Sequence, residues 1–275
     1  MSISVQRIPL IFILLTGLAF PVLVNAAPDP DAWTFSETFQ GSHENSGSVL
    51  KLDSSIGYRF SERFTGGVGA PLYLTHSSSA STTTNGSFAA GLGNVYLTLG
   101  YFRDLSELQY SSTITVTAPT GDESKGFSTG RVTVDWNNRL AADLPHGSAF
   151  VSLGFANTVS DTAFFVRPFS SLGFVTHMEG GGTLRLAPAV SAGGSAYGVI
   201  ASGEQTIVNK VNRSGGSSGA GGRRVTNASE ANDHGFSGWL DFLAGPSVDL
   251  EVGYSRSIAY ELNSVFFLLR YTYRP

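Results

Sequence analysis

The sequence predicts an all-β fold, a transmembrane antiparallel up-and-down β-barrel of about twelve strands, and three observations carry that reading. Residues 132–144 place Val132, Val134, Trp136, Leu140, Ala142 and Leu144 on one face, and Thr133, Asp135, Asn137, Arg139 and Asp143 on the other. Period-two alternation marks a strand with one apolar and one polar face, and a membrane barrel turns the apolar face to lipid and the polar face to its lumen. The same alternation recurs in an even number of segments. The connections between them alternate long and short, as in barrels of the bacterial outer membrane, whose termini then meet on the periplasmic side.

Residues 1–26 read as a signal peptide. Arg7 precedes an apolar stretch from Ile8 to Val24, and Val24-Asn25-Ala26 offers a small-residue cleavage site. Pro9 and Pro21 disfavour an uncleaved anchor. Residues 27–275 then form one large all-β domain, with no later apolar run long enough for a spanning helix. Cysteine is absent, so an exported domain needs another source of rigidity, and closed barrel hydrogen bonding supplies one. Charged residues make up 14% and the formal charge is −4, a balance that argues against a nucleic-acid partner.

The first segment, 32–42, carries Trp33, Phe35 and Phe39 at odd positions. The second, 48–60, sends Leu50, Leu52, Ile56, Tyr58 and Phe60 outward and Lys51, Asp53, Ser55 and Arg59 inward. A short turn, 61–63, leads to the third at 64–76, and a Ser/Thr-rich loop, 77–87, follows. Segments four (88–102) and five (107–118) show Val95, Leu97, Leu99 and Tyr101, then Leu108, Tyr110, Ile114 and Val116, on their apolar faces. Loop 119–130 precedes the sixth. The seventh, 148–158, carries Val151, Leu153 and Phe155. An eighth, 163–177, is expected to end at a glycine turn, 179–182, and a ninth to run from Thr183 toward Ala201. Loop 198–234 is flexible in composition. Segments ten (235–244), eleven (249–260) and twelve (263–273) complete the count. Tyr58, Phe60, Phe64, Tyr101, Phe102, Tyr110, Tyr260, Tyr271 and Tyr273 fall near segment ends, where interfacial aromatic girdles form. The eleventh segment sends Arg256 to the lipid face, so either a bulge shifts its register or the guanidinium snorkels.

The inward face would carry Lys51, Asp53, Arg59, Asp135, Arg139, Asp143, Arg167, Arg185, Asp241, Glu251 and Arg270. Both signs occur, so strong ion selectivity is not expected. Such residues line a polar conduit or fill a closed lumen with ion pairs, and about twelve strands lies between filled ~8-strand barrels and open ~16-strand porins. Asp122, Glu123 and Lys125 sit among Gly121, Gly126 and Gly130; that loop could fold inward as a constriction or hold a cation, although plain solvated turns are commoner. A surface hydrolase would need a Ser/His or Asp/His arrangement at the outer rim. His146 and His177 are expected at the opposite rim. His76 has serines nearby, but GxSxG and HExxH motifs are absent, and no enzyme is expected. Neither a cofactor nor a metal is implied.

Gly91-Leu92-Gly93-Asn94-Val95 running into YLTLGYF, and APTGDESKGFSTGR from Ala118 to Arg131, resemble two motifs of the outer-membrane transporters named for the MetA pathway of phenol degradation. Asn94 stands where that family commonly has Asp. The resemblance covers about 90–160 and implies a channel-like role for small compounds, hydrophobic or aromatic ones among them. The combined expectation is a monomeric outer-membrane channel for passive uptake, gated by loops 119–130 and 198–234, whose partners are membrane lipid, a small solute and the barrel assembly machinery. Few residues precede the first segment, which argues against a plug domain and energy-coupled uptake. The alternatives are a structural or adhesive barrel with a closed lumen and, behind it, a surface hydrolase.

Overall fold

The computed structural model describes residues 32–44, 47–77, 87–159, 161, 165–211 and 221–273. The expected signal segment, most of loop 77–87, residues 212–220 of the expected loop 198–234 and the last two residues lie outside them. Strands β1 (Ala32–Glu44), β2 (Gly47–Arg59), β3 (Phe64–Ser77), β4 (Phe88–Leu92), β5 (Tyr96–Leu105), β6 (Leu108–Thr117), β7 (Thr133–Leu144), β8 (Gly147–Val159), β9 (Phe169–Ala187), β10 (Val190–Asn209), β11 (Arg223–Thr226), β12 (Asp233–Leu243), β13 (Val248–Ser257) and β14 (Leu262–Tyr273) form a single antiparallel sheet. β4 and β5 are two halves of one crossing, broken at 93–95, and β11 pairs only with the far end of β10. Twelve strands therefore cross. β1 pairs with β14 from Trp33↔Tyr273 to His43↔Asn263 and β9 pairs with β10, so the twelve crossing strands close into a cylinder. Closure satisfies every inter-strand donor without water, the condition for strands in hydrocarbon.

The alternation read from sequence places side chains as expected on most strands. Phe35, Leu52, Leu99, Ile114, Trp136, Leu153 and Phe267 are exposed on the outer wall, where lipid would cover them. Around the turn end, aromatic rings pack against one another in tilted, stacked and T-shaped pairs: Trp33–Tyr58 with centroids 4.7 Å apart, Phe64–Tyr101 at 5.3 Å, Tyr101–Tyr110 and Phe35–Tyr271 at 6.4 Å. Phe102 is not part of this girdle; it lies on the inner face, beneath the Arg59 guanidinium.

Three expectations are corrected. Gly180, Gly181 and Gly182 do not form a turn: β9 runs straight through them, and the hairpin turns at Pro188 and Ala189. At Gly181 a β-carbon would collide with the β10 backbone, so the glycines allow two strands to pack closely rather than reverse. Loop 198–234 is shorter than expected, because β10 continues to Asn209 and β11 folds back onto it. Residues 165–168 are not part of a strand; β9 begins at Phe169, since Pro168 carries no N–H for the ladder. Arg167 thus belongs to an inward-folded loop. β13 keeps an unbroken register with both neighbours, so Arg256 reaches the outer wall without a bulge.

Candidate functional site

The inner wall and the loops folded into it form the candidate site. Between β8 and β9, Asp161 and residues 165–168 lie inside the loop end of the barrel, where Phe165, Val166 and Arg167 are buried. Two carboxylates hold this segment. Asp161 accepts from the Lys210 ammonium at 2.7 and 2.8 Å, from the Tyr73 hydroxyl at 2.5 Å and from the Arg167 backbone N–H at 2.8 Å. The Lys210 ammonium also lies 4.8 Å from the Tyr73 ring centre and donates to the Arg167 carbonyl at 3.2 Å. Asp233, at the head of β12, accepts from the Arg167 guanidinium at 2.9 Å, the Ser257 hydroxyl at 2.6 Å and the Tyr197 hydroxyl at 3.2 Å. The Arg167 and Asp233 side chains are 1% and 0% exposed. Ions removed so fully from water persist only when paired and hydrogen-bonded, and here each is.

Burial alone would raise the Asp161 carboxyl, but the Lys210 and Lys51 ammonium groups outweigh it and hold it below the usual carboxylate range. Burial likewise lowers the Lys210 ammonium, against the pull of Asp161.

Loop 118–132 packs beside this plug. Phe127 is buried and stacks on Tyr73 at 5.4 Å. Asp122 caps a short 3-10 turn, Glu123–Lys125: its carboxylate accepts from the Ser124 hydroxyl at 2.6 Å and the Lys125 N–H at 3.3 Å, and pairs with the Lys125 ammonium at 3.2 Å. Those hydrogen bonds, that of Ser124 first, lower its carboxyl. Its oxygens are therefore engaged within the loop. Glu123 pairs with Arg223 of β11, which also donates to the Thr129 carbonyl at 2.8 Å. Gly126 has φ +74°, and a β-carbon there would overlap the Asn209 carbonyl, so only glycine lets the loop lie against the end of β10.

Three cavities follow one another along the inner wall. The largest, about 890 Å³, opens at the turn end and includes Arg59, Glu62, Arg103 and Gln109. The next, about 360 Å³, shares Ser55 and Tyr96 with it and reaches Lys51, Asp53 and Lys210. The third, about 380 Å³, shares Thr115, Thr158 and Asp161 with the second. One side of it is polar, with Thr113, Asp135 and Asn137, and the other carries Phe165, Val175 and Val199.

The sequence-predicted inner residues are spread along this path. Lys51 pairs with Asp53 at 2.9 Å, and Tyr96 donates to Asp53 at 2.9 Å. Asp135 meets His177 at 3.0 Å within the third cavity. His177 is thus well inside the barrel rather than at the rim, because β9 extends to Ala187. Arg139 covers the Phe150 ring at 3.5 Å, and Asp143 accepts from Gln109 at 3.2 Å. Asp241 and Glu251 are register partners on β12 and β13, Arg270 pairs with Asp249 at 2.7 Å, and Arg185 is exposed near the turns. Sequence reading missed Asp161, Lys210, Asp233, Tyr73 and Tyr197. Pro168 was a usable signal that the preceding residues leave the sheet; nothing marked Lys210 as buried. It also missed Glu37, which shares the outer row of Phe35 and Phe39 and accepts from Ser54 at 2.8 Å. His76, the hydrolase candidate, stacks on Phe88 at 4.4 Å.

No family model and no curated protein matches the chain. Among solved structures, an outer-membrane channel from Pseudomonas putida F1 superposes with a TM-score of 0.59 at 15% identity, covering 90% of this chain and 96% of that one. The NanC porin matches at 0.48 and 8% identity, over 86% and 98% of the two chains. The Ralstonia pickettii toluene transporter TbuX matches at 0.47 and 9% identity, over 90% of each. The first likeness establishes the fold as that of an outer-membrane barrel; the other two are too distant to bear on function.

Proposed function

We propose that this chain is an outer-membrane channel for passive uptake of small solutes, hydrophobic or aromatic compounds among them, gated by loops 118–132 and 160–168. The observation that carries the reading is the succession of three cavities with shared walls, from the turn-end mouth to the underside of the plug. Their polar lining solvates a solute, and the plug supplies the barrier. The third cavity has the volume and the mixed character of a site for one small ring compound. The likeness to an outer-membrane channel supports the reading, as does the resemblance of 91–101 and 118–131 to phenol-pathway transporters. In this reading the turns face the periplasm, the chain acts as a monomer delivered by the barrel assembly machinery, and no cofactor takes part.

The test is single-channel conductance of refolded protein in a planar bilayer, with folding verified by heat-modifiable gel mobility. Wild type is expected to show steps whose amplitude changes in Asp135→Ala/Arg139→Ala. Silence from folded wild type and from a plug-loosened variant alike would instead favour a closed barrel acting through its surface loops.

A further inference from the structure

The outer wall near the loops is not uniform. On five adjacent strands one register row reads His76, Ser48, His43, Asn263 and Arg256, from β3 through β2, β1 and β14 to β13. All five side chains share the outward parity of the row immediately below, which reads Leu74, Leu50, Gly41, Val265 and Tyr254. His234, exposed and outward on β12, lies beside the end of the row, its carbonyl accepting from the Ile258 N–H at 2.9 Å. On the other half of the barrel the outward positions near the loop end include Val116, Val134, Asn157, Phe174 and Ile200, uncharged throughout. Among the outward strand positions described at this height, basic and titratable nitrogen thus falls on one arc, directly above hydrocarbon-facing side chains. Outward carboxylates do not interrupt it: Glu261 stands above the row in the β13–β14 turn, Glu44 has the inward parity of β1, and Glu37 lies three rows lower.

The row is also oriented. The Asn263 side-chain oxygen accepts from the Tyr254 hydroxyl at 2.6 Å and from one Arg256 guanidinium nitrogen at 2.9 Å. That fixes the guanidinium fork and leaves its other donors for a ligand. His43 bonds Ser48 through Nδ1 at 2.9 Å, leaving Nε2. A planar fork on a row that also carries imidazole nitrogens, at the height where headgroups begin, has the chemistry of a phosphate receptor.

We propose that this arc binds the phosphates of anionic lipid headgroups in the leaflet at the loop end, with Arg256 as the principal contact and His43 and His76, two and four strands along the same row, extending the arc. The proposal needs the barrel in a bilayer but not an open lumen.

Full-length signal-processed protein, refolded into phosphatidylcholine nanodiscs containing a minor fraction of phosphatidylglycerol, would be released into the gas phase and its retained lipids counted by native mass spectrometry. Wild type should retain phosphatidylglycerol well above its share of the bilayer. Arg256→Gln should lower that enrichment about fivefold, His43→Gln/His76→Gln should lower it less, and Arg256→Lys should fall between wild type and Arg256→Gln. Heat-modifiable mobility reports that each variant is folded. Equal retention of the two lipids by wild type, or unchanged enrichment in folded Arg256→Gln, would overturn the proposal. So would displacement of the lipid by millimolar inorganic phosphate, which would assign the arc to a soluble anion.

Discussion

At the turn end, connections of two to four residues leave a mouth of about 890 Å³, lined by exposed Glu62 and Arg103 and by half-buried Arg59, whose guanidinium donates to the Ser61 and Glu62 carbonyls. At the loop end, the connections are long enough to double back, and Asp161, Arg167, Lys210 and Asp233 are buried in ion pairs no longer than 2.9 Å. The same residue types serve opposite purposes. In the mouth they remain hydrated and contribute little to stability. In the plug, removing one partner strands the other without water, so these charges hold Asp161 and residues 165–168 firmly in place.

That contrast can be broken most forcefully at Arg167. Arg167→Ala leaves Asp233 buried and unpaired, which should cost about 3–5 kcal/mol of local stability. Urea melts of the barrel in detergent and protease cutting in 160–168 would register the loss, and open-channel time should rise. Gly126→Ala is the next largest, with a strained φ and a collision with the Asn209 carbonyl; about 1–3 kcal/mol is expected, together with faster cleavage of loop 118–132. If that loop stays resistant, it does not depend on the close approach.

Acid offers a milder route. Because the Asp161 carboxyl titrates below its unfolded value in the folded state, its contribution is complete above the unfolded value of about 3.9 and is lost as pH falls through the lower folded one. Conductance should therefore rise only below about pH 4, and Asp161→Asn should already be loosened at neutral pH and remove that component. A rise beginning near pH 6 would point to histidine instead. On the outer wall, Glu37→Leu replaces a lipid-facing carboxylate near mid-barrel and should stabilise by about 1 kcal/mol, read as a higher urea midpoint in vesicles. The smallest effect is expected in the mouth: Arg59→Ala should alter current amplitude and leave the open fraction unchanged.

How much of this was legible follows from what alternation encodes. Barrel closure, strand parity and the inner placement of Lys51, Asp53, Asp135 and Arg139 follow from period-two patterning, since a one-residue slip would send every side chain to the wrong face. The β9–β10 hairpin was misread because glycine was taken as a reversal, when Pro188 marks the turn and the glycines mark close strand contact. The plug was not legible. Its contacts join residues as far apart as Tyr73, Asp161 and Lys210, and no local pattern specifies which loop polar residue will find a partner across the lumen. Glu37 and Arg256 are legible as violations of the pattern; only the structure supplies their neighbours, Ser54 and Asn263.

The β1–β14 seam has a kinetic consequence. Its eleven register pairs join the first described strand to the last, so their closure carries the largest loop entropy in the sheet until the intervening crossings are in place. Loop-closure entropy is met in full before that seam gives anything back. Refolding into vesicles should accordingly gain strand content first and the compact, heat-resistant gel band later, and a change at Phe267, in mid-seam, should delay the second event while leaving the first untouched.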